Sequence, residues 1–284
     1  MSIHPTAIIA AGAIVPASCT VGPFCTIGPN VVLGERCNLI SHVVLDGHLT
    51  LGNDNTIHPF AALGVPPQDL KYAGEPTRCQ LGDNNTIRES VTISRGTIGG
   101  GGITTLGSNC LIMAYVHIGH DSHVGDGCIL ANSATLAGHV TVEDFAVVGA
   151  LCPVHQFCRI GRYAFIGGGT TITQNVLPYS LTCIERNNHA YGLNKVGLQR
   201  RGFTPAQLKS LRQAYRLLQA SKLNTTDALA AIRATLLTTA SAGAVGSSDS
   251  SPAATTTATA EPSITEHVAY LANFIANSPR GVIK

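Results

Sequence analysis

Aliphatic residues recur at every sixth position along most of the chain. Leu106, Ile112, Ile118, Val124, Leu130, Leu136, Val142, Val148, Val154, Ile160, Ile166 and Ile172 form an unbroken series. The same phase runs from Ile3 through Ile27, Leu45 and Ile57 to Leu63, and returns at Leu81, Ile87 and Ile93. A period of six fits neither an amphipathic helix nor the alternation of a hairpin sheet. With Gly, Asp and Asn nearby, it predicts short strands joined by tight turns. Three strands close one triangular coil of about eighteen residues, and coils stack about 4.8 Å apart as a parallel β-helix. A coil cannot bury its own edges, so stacking is what makes it stable.

Two stretches break the period. Residues 64–80, GVPPQDLKYAGEPTRCQ, separate Leu63 from Leu81 by one full coil length, yet their prolines and charges cannot continue the strands. This predicts a loop protruding from the prism and carrying Asp69, Lys71 and Arg78. Between Ser94 and Thr105, Gly99 to Gly102 shift the phase by one residue, which predicts a bulged turn. Irregular segments of a regular solenoid are where function is placed.

After Ile172 the β-pattern ends at Pro178, so residues 1–178 are expected to form the β-helix and 179–284 a helical C-terminal domain. Thr204, Pro205 and Gln207 supply a cap, a first-turn proline and a third-position partner, with Leu208, Leu211, Tyr215 and Leu218 on one face. A second helix is expected from Thr226 to Leu237. Ser263 and Glu266 are placed to cap a third, running through Val268, Leu271 and Ile275. The Ala/Ser/Thr/Gly tract 238–262 lacks large side chains and reads as a flexible loop. The fold class is an all-β solenoid plus α.

Composition adds exclusions. Charged residues are 12% of the chain and the formal net charge is +2, which argues against a nucleic-acid tail. The repeat starts at Ile3, leaving no room for a signal peptide, and no apolar run is long enough for stable membrane insertion, so a cytoplasmic protein is expected. The nine cysteines include no CxxC pair. Cys19, Cys25, Cys37, Cys110, Cys128, Cys152 and Cys158 each follow a repeat aliphatic by four residues, an inward position that also holds Ala134 and Ala146.

The candidate chemistry lies in Ala114 to His139, AYVHIGHDSHVGDGCILANSATLAGH. With eighteen residues to a coil, position 138 stacks over His120, so His139 sits almost directly above it. His117 and Asp121 flank His120 on the same coil. A neutral histidine accepts a hydroxyl proton near pH 7, and a neighbouring carboxylate fixes its tautomer. A zinc site is the rival reading, because some hexapeptide β-helices are carbonic anhydrases. Their histidines lie five apart on one strand, whereas His117 and His120 are three apart across a turn.

The segments HIGHD, ILANSATLAGHV, VHQFCRIG, QDLKYAGEPT, IRESVTI and GLQRRGF together resemble the UDP-N-acetylglucosamine 3-O-acyltransferases of lipid A biosynthesis, over nearly the whole chain. The resemblance implies a left-handed β-helix, a helical tail and a homotrimer with sites between subunits. It also implies transfer of a long fatty acyl group from acyl carrier protein to the 3-hydroxyl of UDP-N-acetylglucosamine, without a cofactor. By it, His120 is the general base, Asp121 orients it, and the Gly138 amide receives the thioester oxyanion. His117, His139, His155, Gln156, Asn194, Arg200 and Arg201 match positions that hold the sugar nucleotide. Guanidinium forks independently suit a diphosphate. Asp69 and Lys71 match substrate contacts, and Gly168 matches the position that limits acyl length. The chain departs from the family at Gly119, Ser94 and Val196, where alanine, histidine and glutamate are common, and over 183–191. Coenzyme-A-dependent hexapeptide acetyltransferases are the alternative enzyme class, and a non-catalytic scaffold the alternative outside enzymes.

Overall fold

The computed structural model describes residues 2–183, 189–219, 223–242, 264–279 and 281–283. Strands mostly two residues long wind into three parallel sheets that form the faces of a triangular prism. The first face starts at Ser2–Ile3, the second at Ile8–Ile9, and the third includes His48–Leu51, Arg78–Leu81 and Ile103–Leu106. Where the coil is regular, each residue pairs with the one eighteen positions on, as in His117 with Thr135 and Thr135 with Pro153. The period-six aliphatics point inward, and Ile27, Leu39, Ile57, Ile93, Ile118, Leu136 and Ile166 are fully buried. Each such side chain contributes about 1.5–3 kcal/mol of burial.

The inward cysteines are reduced and buried. Several thiols donate to carbonyls fifteen residues on, among them Cys19 to Gly34, Cys37 to Gly52, Cys110 to Gly125 and Cys128 to Glu143, each at 3.2 Å. The position selects a small apolar side chain, to which these cysteines add a weak donor and Ala134 and Ala146 do not. Burial pushes the Cys37 thiol up to about 11 and Cys79 to about 12, which keeps them unreactive.

The first irregularity is an insertion between the second and third faces. Leu63 and Leu81, one coil length apart in sequence, advance the chain by a single face, so twelve residues are extra. The strands Ala62–Val65 and Arg78–Leu81 take up both ends of the expected 64–80 loop. Arg78 is thus a strand residue, paired with His48 and Ile103, because Cys79 and Leu81 still alternate inward. At the second irregularity, Ile93 and Leu106 are thirteen apart instead of six. The one-residue phase shift is a seven-residue excursion, with a register shift after Ile93 and a 3-10 turn at Ile98–Gly100.

β-Pairing continues past Pro178. Ser180–Cys183 adds to the first face and pairs antiparallel with His189–Leu193, and Val282–Ile283 returns to extend the third face. The helices are α1 (Lys195–Arg200), α2 (Pro205–Gln219), α3 (Thr225–Ala242) and α4 (Ile264–Ala276). The Thr204 amide donates to Gln207 Oε1 at 2.7 Å and the Gln207 amide to Thr204 Oγ1 at 3.3 Å, completing the expected capping box. Helix α3 runs five residues into the tract expected as a loop, since its alanines favour helix. Residues 243–262 and the Ser263 cap lie outside the described residues.

Helices and prism share a second core of Leu177, Tyr179, Leu211, Tyr215, Ile232 and Leu271. Glu143 ties them together, accepting from Arg159 Nε at 2.6 Å, from the Arg162 amide at 2.9 Å and from the Tyr270 hydroxyl. Buried His267 lies 3.1 Å from the Tyr179 hydroxyl through Nδ1. Burial, aided by the Arg162 charge and opposed by Glu266, lowers its pKa below the ordinary 6.5. Burial likewise lowers His117, helped by the charge of His120. Both imidazoles stay neutral in the folded chain while the unfolded chain takes up protons as pH falls through about 6.5, so stability is full above that value and declines below it. The thermal midpoint should therefore fall between about pH 7.5 and 5.5, and His267→Gln should flatten part of that slope in a calorimetric pH series. An unaltered slope would remove His267 from this role.

Candidate functional site

The prism edges are built from residues in the left-handed backbone region, and on the edge between the second and third faces these are Asp121, His139 and Phe157, at φ 58°, 62° and 64°. They occupy the same corner position in three consecutive coils. His120, Gly138 and Gln156 precede them, one per coil. The His139 amide donates to the His120 carbonyl at 2.9 Å and the Phe157 amide to the Gly138 carbonyl at 3.3 Å, which locks the coils in register.

Asp121 is 2% exposed. Its Oδ1 accepts from the Thr97 amide at 2.8 Å, and its Oδ2 accepts from the Thr97 hydroxyl at 2.6 Å and from His120 Nδ1 at 2.8 Å. Its own amide donates to Thr104 Oγ1 at 2.8 Å. Burial pushes the carboxyl up, but the bonds from Thr97 and His120 outweigh it and hold the group below the ordinary carboxylate value. An ionised carboxylate only accepts, so Nδ1 of His120 carries its proton and Nε2 presents a lone pair. Nε2 lies beside Gly138: a Cβ built there would be 2.6 Å from Cε1 and 2.7 Å from Nε2 of His120. Only glycine leaves room for the imidazole over this turn.

His139 stacks on Phe157 with centroids 4.4 Å apart and meets His120 edge-on at 5.1 Å. On the second face, His117 Nδ1 lies 2.8 Å from Thr92 Oγ1. One coil beyond His139, exposed His155 donates through Nδ1 to the Gln156 carbonyl at 3.0 Å. His120, Asp121 and His139 have ligand atoms within 4.8 Å of one another, the spacing of a metal cluster. Asp121 Oδ2, however, already accepts two hydrogen bonds, and one of them orients His120. The donor set fits a base and its orienting group better than a metal site.

The protruding loop closes over this edge. Asp69, Lys71 and Tyr72 form one wall of a cleft of about 460 Å³, and Thr97, His139 and Phe157 form part of the other. Asn194, Arg200 and Arg201 lie elsewhere, on the edge between the third and first faces. With Phe145, Tyr163 and Phe165 they line a separate hollow of about 430 Å³. Asn194 caps α1, accepting from the Gly197 amide at 3.2 Å, while Arg201 lies over the Phe145 ring at 4.6 Å. Gly168 is on the third edge, between the first and second faces. Within one chain, therefore, the fold gathers His117, His120, Asp121, Gly138, His139, His155, Gln156, Asp69 and Lys71, and keeps Gly168, Asn194, Arg200 and Arg201 apart from them.

Sequence reasoning missed Thr97, Thr104 and Gly100, although the phase slip marked their segment. A Cβ on Gly100 would lie 2.1 Å from the Asp121 carboxyl carbon, so the glycine run lets the excursion fold down onto that carboxylate. Of the departures, Ser94 is buried at the bulge and Val196 is exposed on α1.

A family model described as UDP-N-acetylglucosamine O-acyltransferase, domain 2, matches residues 175–283, and a bacterial transferase hexapeptide model matches residues 103–138. The chain is similar over 100% of both chains to the UDP-N-acetylglucosamine O-acyltransferase of Moraxella catarrhalis, at 37% identity and a TM-score of 0.87. It is similar to the enzyme from Acinetobacter baumannii over 99% of each chain, at 35% identity and a TM-score of 0.86. The Arabidopsis UDP-N-acetylglucosamine acyltransferase matches at 33% identity and a TM-score of 0.79, over 99% of this chain and 100% of its own. The fold is the parallel β-helix expected from the repeat, with the left hand and the C-terminal helices that the resemblance implies. With 37% identity sustained along its whole length, the protein belongs to the UDP-N-acetylglucosamine O-acyltransferase family.

Proposed function

We propose that the protein transfers a long fatty acyl group from acyl carrier protein to the 3-hydroxyl of UDP-N-acetylglucosamine, the first step of lipid A biosynthesis, with His120 as general base. The observation that carries the chemistry is the contact of His120 Nδ1 with Asp121: the carboxylate, held ionised by Thr97, fixes the proton on Nδ1 and leaves Nε2 facing Gly138. The sugar hydroxyl gives its proton to Nε2 as its oxygen attacks the thioester carbon. The Gly138 amide receives the oxyanion, a contribution of about 3 kcal/mol in comparable sites. The C–S bond then breaks, and the proton passes from His120 to the departing thiol. His117, His139, His155, Gln156, Asp69 and Lys71 hold the sugar nucleotide at this edge.

Asn194, Arg200 and Arg201 take part from a second chain. Edges of one prism do not face each other, so a nucleotide touching both His120 and Arg200 needs two subunits. The working form is a homotrimer. Exposed Phe24, Phe60, Tyr115 and Leu151 all lie on one prism edge and offer apolar surface for association. Among the described residues no helix is long and apolar enough to cross a membrane.

Gly168 sets the acyl length. Its φ is outside the left-handed region, and Gly169, at 73°, makes the turn. A Cβ at 168 would meet the Ala150 carbonyl oxygen at 3.3 Å, a tight approach that asks that backbone to shift by a few tenths of an ångström, and nothing else closer than 3.8 Å. An open position admits a long chain, each buried methylene contributing about 0.8 kcal/mol.

Incubation with UDP-N-acetylglucosamine and either acyl carrier protein thioesters or acetyl-CoA tests the reaction, and preference for acetyl-CoA would overturn the donor. His120→Ala should keep the fold and nucleotide binding while lowering turnover at least about a hundredfold. The wild-type rate should rise with pH, since only neutral imidazole accepts a proton; a flat profile from about pH 5 to 8 would count against it. Light scattering should show a trimer, and remixing inactive His120→Ala with inactive Arg200→Ala subunits should recover part of the activity. No recovery would place each site within one chain. Gly168→Met should lose long donors and keep shorter ones, seen as a changed ratio of kcat/KM values, while equal loss at every length would discard the ruler.

A further inference from the structure

Arg95 lies in the excursion on the same edge as His120 and Asp121, outside that pair and the proposed nucleotide contacts, and is heavily engaged beside the cleft. Its side chain is 13% exposed. Nε donates to the Tyr72 hydroxyl oxygen at 2.8 Å, and Nη1 donates to the Gly64 carbonyl at 2.8 Å and to Asp46 Oδ2 at 3.2 Å. The Tyr72 hydroxyl in turn donates to the Glu75 carbonyl at 2.8 Å. The backbone acts with the side chain: the Arg95 amide donates to Val65 and the Gly96 amide to Arg78, both at 3.0 Å, joining the two stems of the 66–77 loop. Gly47, at φ 65°, keeps the space open, since a Cβ there would lie 2.2 Å from Arg95 Nη1.

Two residues after Arg95, Thr97 makes its paired donation to Asp121. One short run therefore grips the loop with its first residue and the catalytic carboxylate with its third. We propose that Arg95 is a positioning residue: it holds the loop bearing Asp69 and Lys71 at a fixed distance from the His120–Asp121 edge and so sets the width of the cleft. The inference rests on the function proposed above. Arginine is required because three acceptors lie in divergent directions, which a planar fork meets and a single ammonium does not. Asp46 is 44% exposed, so the ion pair contributes little and the tie to Tyr72 and Gly64 carries the effect.

The test pairs kinetics with proteolysis. Arg95→Gln should raise KM for the sugar nucleotide at least about tenfold while kcat falls less than about threefold, with an unchanged pH profile; Arg95→Lys should not restore KM. Thr97→Val should do the reverse, lowering kcat and altering the pH profile at near-normal KM. Tyr72→Phe, which leaves Arg95 and the prism intact, should show the Arg95→Gln phenotype in weaker form. Trypsin cleavage after Lys71, identified by fragment mass on native protein, should be at least about fivefold faster in Arg95→Gln and faster in Tyr72→Phe than in wild type. Unchanged Lys71 cleavage in both variants, or equal loss of kcat at unchanged KM, would overturn the proposal. Should the wild-type protein fail to transfer acyl groups, the functional reading fails by itself, and proteolysis still decides whether Arg95 holds the loop.

Discussion

Everything in this protein depends on the registry of one coil upon the next. Parallel ladders put each residue about 4.8 Å from its equivalent in the next coil. Inside the prism this repetition makes a continuous aliphatic core with thiols bonded to carbonyls. At the edges it turns a one-dimensional spacing into a column of side chains. His120, Asp121, Gly138, His139 and Phe157 form such a column, and none could be shifted by one residue without reversing its neighbours between core and solvent.

Registry alone would supply only a row of exposed histidines. What fixes the orientation of one of them, and suits it to the proposed role of base, is the interruption of the repeat one coil earlier. The seven-residue excursion after Ile93 lays Thr97 against Asp121, and Gly100 gives the carboxylate room. Those bonds outweigh the cost of burying the charge, so Asp121 stays ionised and the His120 tautomer is set. The twelve-residue excursion after Val65 supplies the opposite wall, and Arg95 joins the two. Both insertions enter at the same edge, between the second and third faces, so they enclose one cleft.

The same geometry separates what the motifs join. A triangular prism presents its edges in three directions, and the HIGHD and GLQRRGF segments fall on two of them. An apolar edge at Phe24 and Phe60, and a set of proposed nucleotide contacts divided between edges, are the features on which the proposed association rests.

The fold was legible in the sequence because an aliphatic residue every sixth position leaves a chain no other way to bury it, and the inward cysteines followed from the same phase. The capping box of α2 was legible because its bonds span three residues. The proximity of His120, Asp121 and His139 was legible too, since adding eighteen to a position gives its neighbour. The twelve-residue excursion keeps the phase and was legible from its prolines and charges, whereas the other was visible only as a slip of phase: the slip of one hid seven residues, because spacing is read modulo six. Bonds across an excursion have no fixed separation in sequence, as Thr97 to Asp121 and Arg95 to Tyr72 both show. The strands beyond Pro178 were hidden for a related reason: Ser180–Cys183 and Val282–Ile283 form against an existing sheet edge and carry no period of their own. Sequence thus determined whatever repeats. Tertiary structure alone decided the contacts made where the repeat is broken, since those depend on how far each excursion folds back.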